Sequence, residues 1–83
     1  MKTVLIDCAQ FDTKQKLLQK FSTVFEEMYS ENYDALIDAA TFCKEQTHFD
    51  FCNFERFEDP QDLLEVLKII EAENAAISFD FEK

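Results

Sequence analysis

Three β-patterned runs alternating with stretches of helical periodicity predict an α/β fold, a three-stranded parallel sheet with helices packed on one face. Residues 47–54 and 76–81 alternate apolar and polar side chains with period two, the pattern of strands with one covered face. Enough chain separates successive runs for helical crossovers, and crossovers between parallel neighbours are right-handed as a rule. Eighty-three residues make one domain, 1–83, with a modest core, since so short a chain buries only about 60 to 65% of its unfolded surface. Ten phenylalanines supply the bulk to fold that core without staples.

Residues 2–7, KTVLID, form the first strand, an aliphatic and β-branched run. Asp12 or Thr13 can cap the helix that follows, in which Leu17, Leu18, Phe21, Val24, Phe25 and Met28 recur at helical spacing as the core stripe. A connection around residues 29–31 leads to a second helix with Asn32 as N-cap, ending before Gln46. Helical spacing sorts its residues onto two faces: Tyr33, Leu36, Ala40 and Cys43 inward, Asp34, Ile37, Asp38 and Thr41 outward. In the second strand Phe49 and Phe51 point one way, and His48, Asp50 and Cys52 the other. Asp59-Pro60, an N-cap with proline at the first helical position, opens a helix to about Glu73, where Asn74 is expected to take a left-handed cap. Val66 and Ile69 widen the apolar stripe of that helix; enlargement of the core is favoured over a secondary apolar contact. Ile77, Phe79 and Phe81 are expected to face the core from the last strand.

Eight Lys and Arg against eighteen Asp and Glu leave a formal net charge of −10, which repels nucleic acid and anionic membranes and attracts basic partners. Its distribution is uneven. Residues 1–20 hold Lys2, Lys14, Lys16 and Lys20 against two acids, whereas residues 21–43 hold Glu26, Glu27, Glu31, Asp34 and Asp38 and no base. Glu26 and Glu27 near the end of the first helix, and Lys14 and Lys16 near its start, each oppose the helix dipole by a few tenths of a kcal/mol. Ile37 between two outward carboxylates serves no folding purpose and points to a partner. Three cysteines, Cys8, Cys43 and Cys52, cannot all pair within the chain, and residues 1–8 lack a secretory signal pattern. Reduced thiols in a cytoplasm are expected, with Cys43 and Cys52 as small core fillers. No apolar run approaches the roughly 18 residues of a membrane span.

The stretch Glu31, Asn32, Asp34, Ala35, Leu36, Asp38 and Thr41 resembles the barstar family of intracellular ribonuclease inhibitors, whose pattern here is Glu-Asn-x-Asp-Ala-Leu-x-Asp. Tyr29 also matches, while Met28, Ser30, Tyr33 and Ile37 depart from it. The resemblance implies the same three-stranded parallel sheet with helices on one side. It also implies that the second helix enters the active site of a ribonuclease toxin, its carboxylates replacing RNA phosphates. Position by position, Asp38 matches the central anchor, Asp34 the second carboxylate contact, Asn32 and Thr41 polar contacts beside it, and Tyr29 one of two paired tyrosines. Ile37 stands where a tryptophan is common, keeping an apolar plug; Glu73 falls on an acidic contact of the last helix and Ile69 replaces another.

Chemistry has little else to use. The absence of glycine excludes P-loop and dinucleotide fingerprints. His48, the only histidine, has no nucleophile set beside it by spacing and reads as a surface or partly buried structural residue, and no Cys/His spacing suggests zinc. Asp34 and Asp38, one turn apart, have the spacing for acid/base work or half a divalent-metal site, but so small a core can hardly shape a substrate cleft. The expectation is therefore a non-enzyme: an immunity protein that needs no cofactor or metal and binds a basic ribonuclease toxin, with oligomeric state left open. An acidic adaptor that keeps the fold and binds a basic non-nuclease partner is the alternative. A carrier protein fits worse, because Ser30 precedes Glu31 and no Asp-Ser-Leu setting is present.

Overall fold

Asn53 is the one described residue with positive φ, at 55°, and it marks the place where the chain leaves the sheet's central strand. The computed structural model describes residues 1–26 and 32–82. Met28 and Tyr29 therefore lie outside the described residues. The element order is β1 (Lys2–Asp7), α1 (Lys14–Val24), α2 (Tyr33–Thr41), β2 (Thr47–Cys52), a 3₁₀ turn (Phe54–Arg56), α3 (Pro60–Glu73) and β3 (Ile77–Glu82).

The sheet runs β1-β2-β3 and both pairings are parallel, so the expected α/β fold is present. Strand order that advances in one direction, with crossovers of one hand, carries all the helices to one face. Burial agrees: Val4, Ile6, Phe49, Phe51, Ile77 and Phe79 are buried, whereas Thr3, Leu5 and Asp80 on the opposite face are exposed and His48, Asp50 and Ser78 half-buried. Register places Val4, Phe49 and Phe79 in one row across the sheet. The helices close over it with Leu17, Leu18 and Phe21 from α1, Leu36 and Ala40 from α2, and Leu63, Val66, Leu67 and Ile70 from α3. Phenylalanine rings fill the space between layers, Phe21 to Phe49 at 5.3 Å and Phe49 to Phe79 at 5.4 Å between centroids. Such contacts add about 0.5–1.5 kcal/mol each to the burial itself.

Thr13, not Asp12, caps α1, its hydroxyl accepting from the Lys16 N–H at 3.2 Å. The unfavourable lysines at that end are offset from elsewhere in the chain: the Lys14 N–H donates to the Glu58 carboxylate, and the Lys16 ammonium pairs with Asp12 at 3.2 Å. An anion at the helix N-terminus is thus supplied by tertiary contact. Asp59 caps α3 as expected, accepting from the Asp62 N–H at 3.4 Å.

Several expectations are corrected. Phe54 is not in a strand: β2 stops at Cys52, Asn53 turns left-handed, and the 3₁₀ turn swings the Phe54 ring to 4.9 Å from that of Phe81. Asn74 is extended, at φ −141° and ψ 104°, because its side chain is committed to α2 and the chain passes directly towards β3. Phe81 stands on the core side but is 41% exposed, at the end of β3, with the Phe51 and Phe54 rings packed against it. Val66 enlarges the core as expected, whereas Ile69 is 46% exposed on the far side of α3. Cys43 is half-buried and packs against the core as expected, whereas Cys52 is no core filler: it lies half-buried on the open face, as its register alternation with Phe51 requires. Cys8 is the fully buried thiol. No described helix is long and apolar enough to cross a membrane.

Candidate functional site

Helix α2 is short, and both its ends are held by side-chain amides. The Asn32 carbonyl oxygen accepts from the Ala35 N–H at 2.7 Å, and the Asn32 backbone is extended as an N-cap requires. At the other end Asn74 donates its amide to the carbonyls of Ala40 at 2.7 Å and Cys43 at 2.8 Å, with Thr41 at 3.4 Å. Nine helical residues are too few to be stable alone, so caps and the buried pair Leu36 and Ala40 carry the segment. The result is a rigidly seated helix with a free outer surface.

On that surface Asp34 and Asp38 are exposed, one turn apart, and no described residue forms an ion pair with either. Asp34 in the first turn suits the helix dipole, while Asp38 near the last turn opposes it. A carboxylate placed against the dipole, with no ion-pair partner among the described residues, does not stabilise the helix. Asn32 is exposed beside Asp34, and Thr41 is half-buried at the far end. Ile37 is a correction to the two-faced picture: it is half-buried and packs against the core cluster, so only part of its side chain is presented between the carboxylates.

Glu73 is exposed and ends α3 immediately before Asn74, so the Asn74 bonds bring its backbone beside the C-terminal end of α2. Asn32, Asp34, Ile37, Asp38 and Thr41 are thus all on α2 or its N-cap, with the end of α3 and Glu73 tied beside its C-terminus, while Tyr29 lies outside the described residues. One residue was passed over. Phe42, the C-cap of α2, is 74% exposed and follows Asp38 by four positions, with Glu26 and Glu45 lining the same depression. The spacing Asp34, Asp38, Phe42 was available in the sequence, but a cap position is not assigned to a helix face by periodicity.

The other end of α2 is also acidic. Tyr33 packs on the core with the Lys14 ammonium 4.5 Å from its ring centroid, a cation–π contact. Burial, reinforced by Asp59, Asp62 and Glu58, pushes the Tyr33 phenol up to about 12, so it remains a neutral hydrogen-bonding group.

The open face of the sheet holds a cluster that sequence reading did not find. His48 Nε2 lies 3.1 Å from Asp50 Oδ1 and 3.2 Å from Asp80 Oδ2, and its Nδ1 is 2.6 Å from Ser78 Oγ. His48 is half-buried, as expected, and its partners come from two strands. The signal was the pair of motifs His-x-Asp and Ser-x-Asp, which align only once β2 and β3 are in register. Compared with known proteins, the sequence matches no family model, and no curated protein resembles it at a significant level.

Proposed function

We propose that this protein is a barstar-like inhibitor, a cytoplasmic immunity protein that blocks the active site of a cognate basic ribonuclease toxin and carries out no reaction of its own. The observation that carries the proposal is the pair Asp34 and Asp38: exposed, free of ion pairs with described residues, and fixed on a helix capped at both ends. The resemblance of residues 31–41 to the barstar motif supports the same assignment. A ribonuclease active site is built to hold phosphates with arginine and lysine, and carboxylates about one helical turn apart can occupy those positions with charge-assisted, often bidentate bonds. Pre-organisation matters because a helix already seated loses little entropy on docking.

Within that arrangement Asp38 is the anchor and Asp34 the second anion. The exposed part of Ile37 seals the contact against water, Asn32 and Thr41 supply neutral polar contacts, and Glu73 extends the negative field from α3. The net charge of −10 steers a basic partner to the face at long range, an effect that weakens with salt.

The test is direct. A basic ribonuclease, sought first among the products of the neighbouring genes, is purified, captured with the protein, and assayed for RNA cleavage with and without it. Stoichiometric loss of cleavage, weaker association in high salt and no protection by Asp38→Ala are expected. Cleavage unaffected by the wild-type protein, or equal protection by the variant, overturns the reading.

A further inference from the structure

Strand register puts two like charges directly opposite each other on the open side of the sheet: Asp50 of β2 pairs with Asp80 of β3, and His48 pairs with Ser78 one row away. Opposed carboxylates on one sheet face are destabilising. No lysine or arginine among the described residues forms an ion pair with either one. What stands between them is the imidazole of His48, with Nε2 directed at both oxygens.

We propose that His48, Asp50 and Asp80 form a binding site for a divalent cation of the zinc class on the uncovered face of the sheet. One ligand atom from each residue lies within 4.8 Å of the other two. The two N–O separations, 3.1 and 3.2 Å, are those of ligands on one ion. Bonds of about 2.0–2.2 Å place neighbouring ligands about 3.0 Å apart in an octahedral shell and about 3.4 Å in a tetrahedral one. The third separation, carboxylate to carboxylate, lies within the same 4.8 Å. The mixed imidazole and carboxylate set favours zinc, cobalt or nickel over calcium and magnesium, which prefer oxygen alone.

Ser78 completes the arrangement. With the metal on Nε2, the Nδ1–H donates to the Ser78 hydroxyl, which orients the ring as an outer hydrogen bond does in metal sites generally. A metal on Nε2 takes the lone pair of that nitrogen, so the bound ring is the neutral Nδ1–H tautomer. Three protein ligands leave further coordination positions facing water, because nothing covers this face among the described residues: Asp80 is 72% exposed and the flanking Leu5 is exposed as well. The helices lie on the other side of the sheet, so this site is separate from α2 and does not depend on the function proposed for it.

The chain contains a single histidine, which makes the experiment specific. Zinc chloride is titrated into the reduced, tag-free protein while the imidazole nitrogens are followed by NMR. The expected result is saturation at one equivalent with the His48 Nε2 resonance displaced and Nδ1 protonated. Asp50→Asn and Asp80→Asn should each abolish this displacement, and Ser78→Ala should weaken binding by about 10-fold. Circular dichroism without metal confirms that the variants are folded. Three results overturn the site: no binding, binding that leaves the imidazole unmoved because thiols or scattered carboxylates take the ion, or binding retained in Asp80→Asn. In each of these cases the contacts among His48, Asp50 and Asp80 are hydrogen bonds and not a metal site.

Discussion

The Asn74 side-chain amide donates to the Ala40 carbonyl at 2.7 Å, so the residue that ends α3 also ends α2. Its two N–H groups reach three carbonyls, those of Ala40, Thr41 and Cys43, while its own oxygen accepts from the Ala76 N–H at 2.9 Å. One side chain thereby ties the candidate binding helix to the last helix and to the entry of β3. The position of Asp38 relative to Glu73 follows from that tie.

Asn74→Ala removes the side-chain donor shared by the Ala40, Thr41 and Cys43 carbonyls, of which Ala40 keeps the Cys43 N–H. A part-buried acceptor stranded in this way costs about 1–3 kcal/mol, so urea denaturation should show a lower midpoint at unchanged slope. Amide exchange at Phe42 and Cys43, whose N–H groups bond to Asp38 and Ala40, should accelerate more than exchange in β2. Asn74→Asp should be worse, since it sets a carboxylate against the same carbonyls.

Asp38→Ala separates binding from folding. The side chain is exposed and makes no ion pair with a described residue, so stability should stay within about 0.5 kcal/mol of wild type. Loss of the opposition to the helix dipole should make any change slightly stabilising. Capture of the basic nuclease should be lost. A matched control, Leu36→Ala, should instead cost about 2–5 kcal/mol, because Leu36 is fully buried.

Alkaline pH should destabilise the fold in two windows. Burial raises the Cys8 thiol from 9.0 to about 11, and the Tyr33 phenol from 10.0 to about 12. Above pH 9 the unfolded chain gives up the Cys8 proton while the native state keeps it, so unfolding releases protons and stability falls as pH rises towards 11. Tyr33 adds the same effect between pH 10 and 12. Denaturation midpoints measured across this range should decline from about pH 9, with Cys8→Ala removing the first window and Tyr33→Phe the second.

Asn53 has two roles that substitutions can separate. Its backbone is left-handed at φ 55°, and its amide donates to Asp7 Oδ1 at 2.9 Å. That bond, followed by the Ala9 N–H, holds the Asp7 carboxyl below its ordinary 3.8. A depressed carboxyl contributes stability that is complete above the unfolded value and is lost as pH falls through the folded one, so the effect should begin to fade below about pH 4. Asn53→Gly keeps the backbone and loses the bond. Asn53→Ala loses both, and should be less stable than the glycine variant by about 1–2 kcal/mol at neutral pH. Stability measured at pH 7 and pH 3 for the three proteins checks both roles.

Local patterns were easy to read because they are set by local physics. Asn32, Thr13 and Asp59 cap the helices that their side chains announced. The period of two in β2 and β3 correctly sent Phe49, Phe51, Ile77 and Phe79 inward. Errors arose where a residue's partner was distant in sequence. Asn74 has the composition of a left-handed cap but is extended, since three carbonyls at and just beyond the end of α2 compete for its amide. Ile69 and Phe81 carry the right hydrophobicity for a core, yet no layer reaches far enough to cover them. For Ile37 the opposite holds: the outward face of a helical wheel is not the exposed face of a helix wedged between neighbours.

By itself the sequence determined the element types, the parallel α/β layering and the uncompensated acid on α2, since periodicity, capping and charge distribution are properties of nearby residues. Tertiary structure alone decided how firmly α2 is held, through Asn74, and how a lysine-rich helix start obtains its anion, from Glu58. It also decided that His48, Asp50, Ser78 and Asp80 would meet, because the alignment of β2 with β3 exists only when both strands share a sheet. Sheet register joins residues 30 positions apart, a separation at which no helical or strand period carries information.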